Sequence, residues 1–136
     1  MTPEEARRRF AEASVAHLAT VDAAGAPHIV PITFALDGEK LVTAVDAKPK
    51  LGTPLRRLAN VAANPRVSVL VDAYDDDWTR LWWARADGDA AILDGGPALD
   101  HALALLRARY VQYADVGITG PALQIRVDRW SGWSWA

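Results

Sequence analysis

The sequence predicts a mainly β protein, an antiparallel β-barrel with peripheral helices, and three observations predict it. Short segments rich in Val, Ile, Leu and Thr follow one another with tight turns between them. Three helical segments are inserted among about six such strands. The last segment, 123–130, alternates along its whole length, as a strand with one face inward does. At 136 residues, 51% of them hydrophobic and 24% charged, the chain reads as one globular domain over 1–136, large enough to bury a core.

Thr2-Pro3-Glu4-Glu5 is a helix start, with Thr2 as N-cap, Pro3 in the first turn and Glu5 closing a capping box; the helix runs to about Ala13. Val15 to Val21 is the first strand, and Asp22-Ala23-Ala24-Gly25 turns the chain. His28 to Leu36 is the second strand. Asp37-Gly38 then makes a hairpin turn, because both residues tolerate positive φ, and Leu41 to Val45 returns as the third. Three strands in a row with short turns read as an antiparallel meander. Thr53 to Asn64 is helical: Thr53 caps, Pro54 takes the first position, Leu55, Leu58 and Ala62 share a face, and Asn64-Pro65 stops it.

Arg66 to Asp72 is strongly β-forming, as is Thr79 to Leu93, interrupted by Asp87-Gly88-Asp89. Gly96-Pro97 opens another helix, with Leu99, Leu103, Leu106 and Tyr110 in one apolar stripe. In the final strand Leu123, Ile125, Val127 and Arg129 fall on one face, and Gln124, Arg126, Asp128 and Trp130 on the other.

Composition removes several function classes. No run of 18 apolar residues exists to cross a membrane, and the acidic start Met1-Thr2-Pro3-Glu4-Glu5 lacks the apolar region of a signal peptide. With no cysteine there is no disulfide, thiolate zinc site or cysteine nucleophile, and a cytoplasmic protein is the simplest reading. A net charge of −2 does not suit nucleic acid. His17, His28 and His101 are too far apart in sequence for a shared metal site on one helix face. Asp75-Asp76-Asp77 reads as an exposed turn, because calcium loops need a longer pattern ending in Glu. Neither a nucleophile elbow, nor a Walker loop, nor a dinucleotide fingerprint is present.

Two features do carry chemistry. The segment Lys48-Pro49-Lys50-Leu51-Gly52-Thr53, followed by Arg56 and Arg57, joins a strand to a helix start, where free N–H groups and the dipole favour anions. It reads either as a phosphate or polycarboxylate site or as a solvated basic loop. The six tryptophans all lie in the second half of the chain. Trp82 and Trp83 are adjacent on a strand and must point to opposite faces, so one fills the core and the other needs a cover. A partner subunit is the simplest cover.

These residues form a pattern. Val15-Ala16-His17-Leu18-Ala19-Thr20-Val21 after a short helix, then Gly25-x-Pro27-His28-x-Val30-Pro31-x-x-Phe34, resembles the split-barrel flavin and deazaflavin oxidoreductases, the pyridoxamine-phosphate-oxidase-like superfamily. The sharper resemblance is to its actinobacterial branch that uses coenzyme F-420. It rests on Lys48-Pro49-Lys50, Leu55-x-Arg57-Leu58-x-Asn60, Asn64-Pro65-Arg66-Val67-Ser68, Val71-Asp72-x-Tyr74 and Asp77-Trp78-x-x-Leu81-Trp82-Trp83-x-Arg85.

The resemblance implies a split β-barrel homodimer with two cofactor sites at the subunit interface. It implies that the cofactor ring lies against His28, Val30, Pro31, Ile32 and Thr33 and against Thr43, Ala44 and Val45, largely through backbone groups. Lys48, Lys50, Thr53 and Arg57 would hold the phosphate, and Trp83 would join the contacts from the strand that reaches the other subunit. The implied activity is hydride transfer between the deazaflavin coenzyme F-420 and a small hydrophobic unsaturated acceptor. An FMN-dependent oxidase or reductase on the same barrel, and a non-enzymatic cofactor or ligand carrier, are the alternatives. No metal, nucleic acid or membrane is implied as a partner. The C-terminal Arg-x-x-Pro substrate motif of the true pyridoxamine-phosphate oxidases is missing, since the chain ends Ser131-Gly132-Trp133-Ser134-Trp135-Ala136.

Overall fold

Thr2 starts the first helix as its spacing requires: its hydroxyl accepts from the Glu5 N–H at 3.2 Å, and helix α1 covers Pro3–Glu12. Among the described residues only this half of the capping box forms. The structure is a computed structural model that describes residues 1–45 and 55–135. Strands β1 (Ala16–Val21), β2 (Pro27–Ile32), β3 (Ala35–Asp37) and β4 (Lys40–Ala44) follow, then α2 (Arg56–Ala63), β5 (Arg66–Ala73), β6 (Trp82–Leu93), α3 (Gly96–Arg109) and β7 (Ala122–Ser134). Short 3-10 turns at Trp78–Arg80 and Val111–Ala114 flank β6 and α3.

All seven strands form one antiparallel sheet in the order β2-β1-β5-β6-β7-β4-β3. The expected meander is therefore corrected. β1 with β2 and β3 with β4 are hairpins at opposite ends of the order, and the segment His28 to Leu36 is two strands, not one. Only Thr33 and Phe34 separate β2 from β3. Six strand spacings would hold the edges of a flat sheet roughly 29 Å apart. Three Cα steps reach only about 11 Å. The sheet must curl until its edges meet, which makes it a split barrel.

Phe34 explains the break in the strand. Its ring is fully buried and meets Phe10 of α1 edge-on at 5.7 Å, while Phe10 meets Trp130 at 5.3 Å. These rings sit with Leu18, Val69, Val71, Leu41 and Ile125 in the main core. On the other side of β3, β4 and β7, α3 presents Leu99, Ala102, Leu103 and Leu106 to Ala35, Val42 and Ala122. The expected stripe holds along α3, but Tyr110 lies just beyond its end as the C-cap and acts through its hydroxyl instead.

Four further expectations change. β6 runs through Asp87-Gly88-Asp89 without a break. The register slips there because Asp87 faces Arg129 and Gly88 faces Val127, leaving Asp128 as an extra residue on β7. That bulge reverses the alternation, so Trp130 turns into the core instead of sharing a face with Gln124. Glu39 holds the bulge: its carbonyl accepts from the Val127 N–H at 3.0 Å and its carboxylate from the Trp130 indole at 2.9 Å. Residues 79 and 80 belong to the 3-10 turn, capped by the Asp77 carboxylate, which accepts from the Thr79 N–H at 3.1 Å. On α2, Asn60 and Val61 are the buried residues and Ala62 is exposed, because the Asn60 amide donates to the buried Thr20 hydroxyl at 2.9 Å. α2 begins at Arg56 with Leu55, in extended conformation, as its N-cap, later than the expected start; the expected cap Thr53 and first-position Pro54 lie outside the described residues.

Gly88 is required by close approach. A Cβ there would stand 2.1 Å from the Arg126 carbonyl oxygen, a backbone atom that cannot step aside. Gly88→Ala should lower the unfolding free energy in urea by at least the roughly 1–3 kcal/mol of an overpacked core. Gly95→Ala, with nothing within 4 Å of the new methyl, should leave it nearly unchanged.

Candidate ligand-binding cleft

The closure of the barrel brings chain ends together. Pro31, Ile32 and Thr33 at the end of β2, Ala44 at the end of β4, Val15 ahead of β1, Arg57 in the first turn of α2 and Tyr113 in the turn after α3 line one cleft of about 190 Å³. β2 tolerates Pro27 and Pro31 because it is an edge strand with β1 as its ladder neighbour on one side.

Thr33 is fixed twice. Its carbonyl accepts from the buried Thr43 hydroxyl at 2.7 Å, and its own hydroxyl is hydrogen-bonded to that of Tyr113 at 2.5 Å, either atom able to donate. Phe34, next along, is clamped by the end of α3. Its N–H donates to the Tyr110 hydroxyl at 3.0 Å, and its carbonyl accepts from the Arg109 guanidinium at 2.7 Å. The same Arg109 donates to the carbonyls of Phe10 and Ala13 at the end of α1. The Tyr110 hydroxyl has one proton to share between the carbonyls of Phe34 and Ser14, each 2.9 Å away. Burial, the largest cause, pushes the Tyr110 phenol above its ordinary value.

Five of the residues implied by the sequence therefore share this cleft: Pro31, Ile32, Thr33, Ala44 and Arg57. Arg56 points away, with its guanidinium 3.6 Å from the Asp22 carboxylate. Thr43 acts from behind the wall through Thr33, and the buried Val45 donates its N–H to the Pro121 carbonyl at 3.0 Å. His28 and Val30 are half-buried on β2, on the face opposite to Pro31, and do not line the cleft. His28 faces Thr20 in register, and its Nδ1 is buried without a partner among the described residues.

Trp83 lies in a different place. It lines a second cavity of about 230 Å³ with Tyr74, Trp82 and Trp133, and the Arg85 guanidinium sits 5.4 Å from its ring. Trp82 packs on the main core with Arg9 over its ring at 4.7 Å, so the two indoles do take opposite faces. Lys48, Lys50 and Thr53 lie outside the described residues. Sequence reasoning missed Val15, which it placed inside the first strand and which precedes β1, and Tyr113, whose signal was a second tyrosine three residues after Tyr110.

The arrangement suits a flat apolar group with an anionic appendage. Val15, Pro31, Ile32 and Ala44 supply apolar walls, Thr33 and Tyr113 supply hydroxyls, and Arg57 supplies a cation on a helix start that carries no acidic residue in its first turn. Among the described residues no group of three or more acidic or histidine side chains is placed to hold a metal ion, and no helix is long and apolar enough to cross a membrane.

The chain is thus a seven-stranded split barrel with a cleft where its edges meet. The sequence model of the pyridoxamine 5'-phosphate oxidase family matches residues 2–134, and the chain belongs to that family. No curated protein matches the sequence. Among solved structures, a FAD-binding protein from Mesorhizobium loti is 21% identical with a TM-score of 0.73, over 97% of this chain and 92% of that one. HutZ, the heme storage protein from Vibrio cholerae, is 19% identical with a TM-score of 0.71, over 97% and 92%. A conserved hypothetical protein from Mycobacterium tuberculosis is 20% identical with a TM-score of 0.74, over 99% and 86%. At these identities the likeness is one of fold.

The clamp around Phe34 can be probed through Tyr110. Tyr110→Phe removes the partner of one N–H and a donor to two carbonyls, and should cost about 1–3 kcal/mol in urea unfolding. A phenol whose folded pKa is raised ionises first in the unfolded chain. Its contribution is therefore complete below the ordinary tyrosine value of 10.0 and is lost as pH climbs through the folded value. Wild type should lose stability above about pH 10 more steeply than Tyr110→Phe does.

Proposed function

We propose that the chain is a reductase of the split-barrel class that binds the deazaflavin coenzyme F-420 and uses it to reduce a small, hydrophobic, unsaturated acceptor. The observation that carries this reading is the shared cleft: the end of β2, the end of β4 and Arg57 meet at one place. The residues present fit such a group. The strand ends offer a flat apolar wall with backbone polar groups, and the Arg57 guanidinium offers charge for a phosphate. The Lys48-to-Arg85 sequence pattern supports the deazaflavin over FMN, as do Lys48 and Lys50, which suit a polyglutamate tail.

The coenzyme, when bound, supplies the hydride. The chain's part is to hold, orient and shield. Thr33, pinned by Thr43 from behind, fixes the strand end against which the ring packs. Val15 and Ile32 keep water off one side. Among the described residues the cavity is about 190 Å³, below the roughly 300 Å³ of typical ligand pockets, which supports a site shared between two copies. A second copy would complete it. The cover would come from the outer face of β5, β6 and β7, where Asp72, Trp83 and Trp133 stand in register and Trp133 and Tyr74 are 43% and 79% exposed. The Mesorhizobium relative, described as FAD-binding, supports a flavin-type ring. The Vibrio relative, a heme storage protein, supports a second reading, storage of a planar ligand without turnover.

Titration with F-420 and with FMN, followed by fluorescence, separates these readings. Tight F-420 binding with reduction of an enone or quinone by the reduced coenzyme is expected; tight FMN binding without F-420 binding transfers the proposal to FMN. Tight binding with every acceptor refused favours storage. Arg57→Ala should weaken binding by about 1.5–3 kcal/mol, and salt should narrow the difference. Arg56→Ala, which loses only an exposed pair with Asp22, should change little. Light scattering at micromolar concentration should give twice the 14.8 kDa chain mass.

A further inference from the structure

Two tyrosines stand side by side at the end of α3, their rings edge-on at 5.8 Å, yet their hydroxyls are used differently. The Tyr110 hydroxyl is taken up by backbone: it accepts from Phe34 and offers its proton to Phe34 or Ser14. Among the described residues the Tyr113 hydroxyl has one partner, the side-chain hydroxyl of Thr33, and both residues line the cleft. A hydroxyl whose single bond goes to another hydroxyl can release a proton and be resupplied through it. Tyr110 cannot do this without abandoning the Phe34 clamp.

We infer that Tyr113 is the catalytic proton donor of this cleft, with Thr33 as its relay, and that the acceptor carries a carbonyl conjugated to the bond being reduced. The inference rests on the reductase reading above. The balance is that of adding one hydride and one proton. The β-carbon of an enone takes the hydride and its electron pair from the reduced deazaflavin, which is thereby oxidised. The π electrons move onto the carbonyl oxygen. That oxygen takes the Tyr113 proton, the O–H bond of the phenol breaking as the new one forms. The Tyr113 phenolate takes a proton from the Thr33 hydroxyl, which regains one from water, and the enol relaxes to the saturated ketone. A simple alkene offers no oxygen to receive the proton and should not react.

The test pairs Tyr113→Phe with Thr33→Val and Thr33→Ser. Tyr113→Phe should bind F-420 within about twofold of wild type while reducing an enone roughly 100-fold more slowly or worse, the scale of a lost general acid. A small added acid such as imidazolium should restore part of the rate, and wild type should show a solvent deuterium effect that the variant lacks. Apart from turnover, the variant should bind a saturated ketone product more weakly in the oxidised complex, as read by tryptophan fluorescence. Thr33→Ser should keep the rate and Thr33→Val should lose part of it. Unchanged turnover in Tyr113→Phe with normal coenzyme binding overturns the assignment alone. A slower variant that no added acid rescues, with the deuterium effect intact, makes Tyr113 a structural latch and overturns it as well. A wild type that takes up no flavin or deazaflavin removes the reductase reading first, and this assignment with it.

Discussion

Everything in this barrel hangs on the two residues between β2 and β3. Thr33 and Phe34 must carry the chain from one edge of a seven-stranded sheet to the other, so they determine that the sheet closes and where its edges meet. A segment this short has no ladder of its own, and its buried polar groups need partners from elsewhere. Tyr110 and Arg109 satisfy Phe34, while Thr43 satisfies Thr33. Arg109 also reaches the last carbonyls of α1, where a cation complements the negative end of the helix. One guanidinium thus ties together the helix that plugs the core, the segment that closes the barrel, and the helix that covers its side.

The same constraint explains why the candidate site lies where it does. A closed sheet has no long free edge, but at the split the strand ends are exposed and the packing is interrupted. Small and rigid residues there, Pro31, Thr33 and Ala44, leave a recess in place of a filled core. The groups that stabilise the closure also shape the recess, since Tyr113 reaches Thr33 from the turn that follows Tyr110. The closure and the recess thus draw on one set of residues.

Local signals carried much of the fold. Thr2-Pro3 capping, the Asp22 to Gly25 turn and the alternation of Leu123 to Val127 each act within a few residues and could be read directly. What could not be read depended on partners distant in sequence. The break at Thr33-Phe34 is set by tyrosine and arginine residues some 75 positions away. The inward turn of Trp130 follows from a bulge that exists only because β6 and β7 differ by one residue between matched pairs. Asn60 looks like an exposed helical residue until Thr20 is placed beneath it. The site was partly legible for the same reason: residues on β2, β4 and α2 follow a recognisable pattern, whereas Tyr113 follows a helix with no motif around it.

The strand order also has a consequence for synthesis. β7 is made after all the other strands, yet it lies between β6 and β4 and pairs with both along much of its length. Until it emerges, β1, β2, β5 and β6 can assemble side by side, but the β3-β4 hairpin has no strand to join. Phe34 and the apolar face of α3 must wait with it. The nascent chain therefore carries an open edge and an uncovered aromatic core until β7 leaves the ribosome. Topologies with such late, distant pairings close slowly. For this protein the period of greatest vulnerability to misassembly falls between the synthesis of β6 and that of β7.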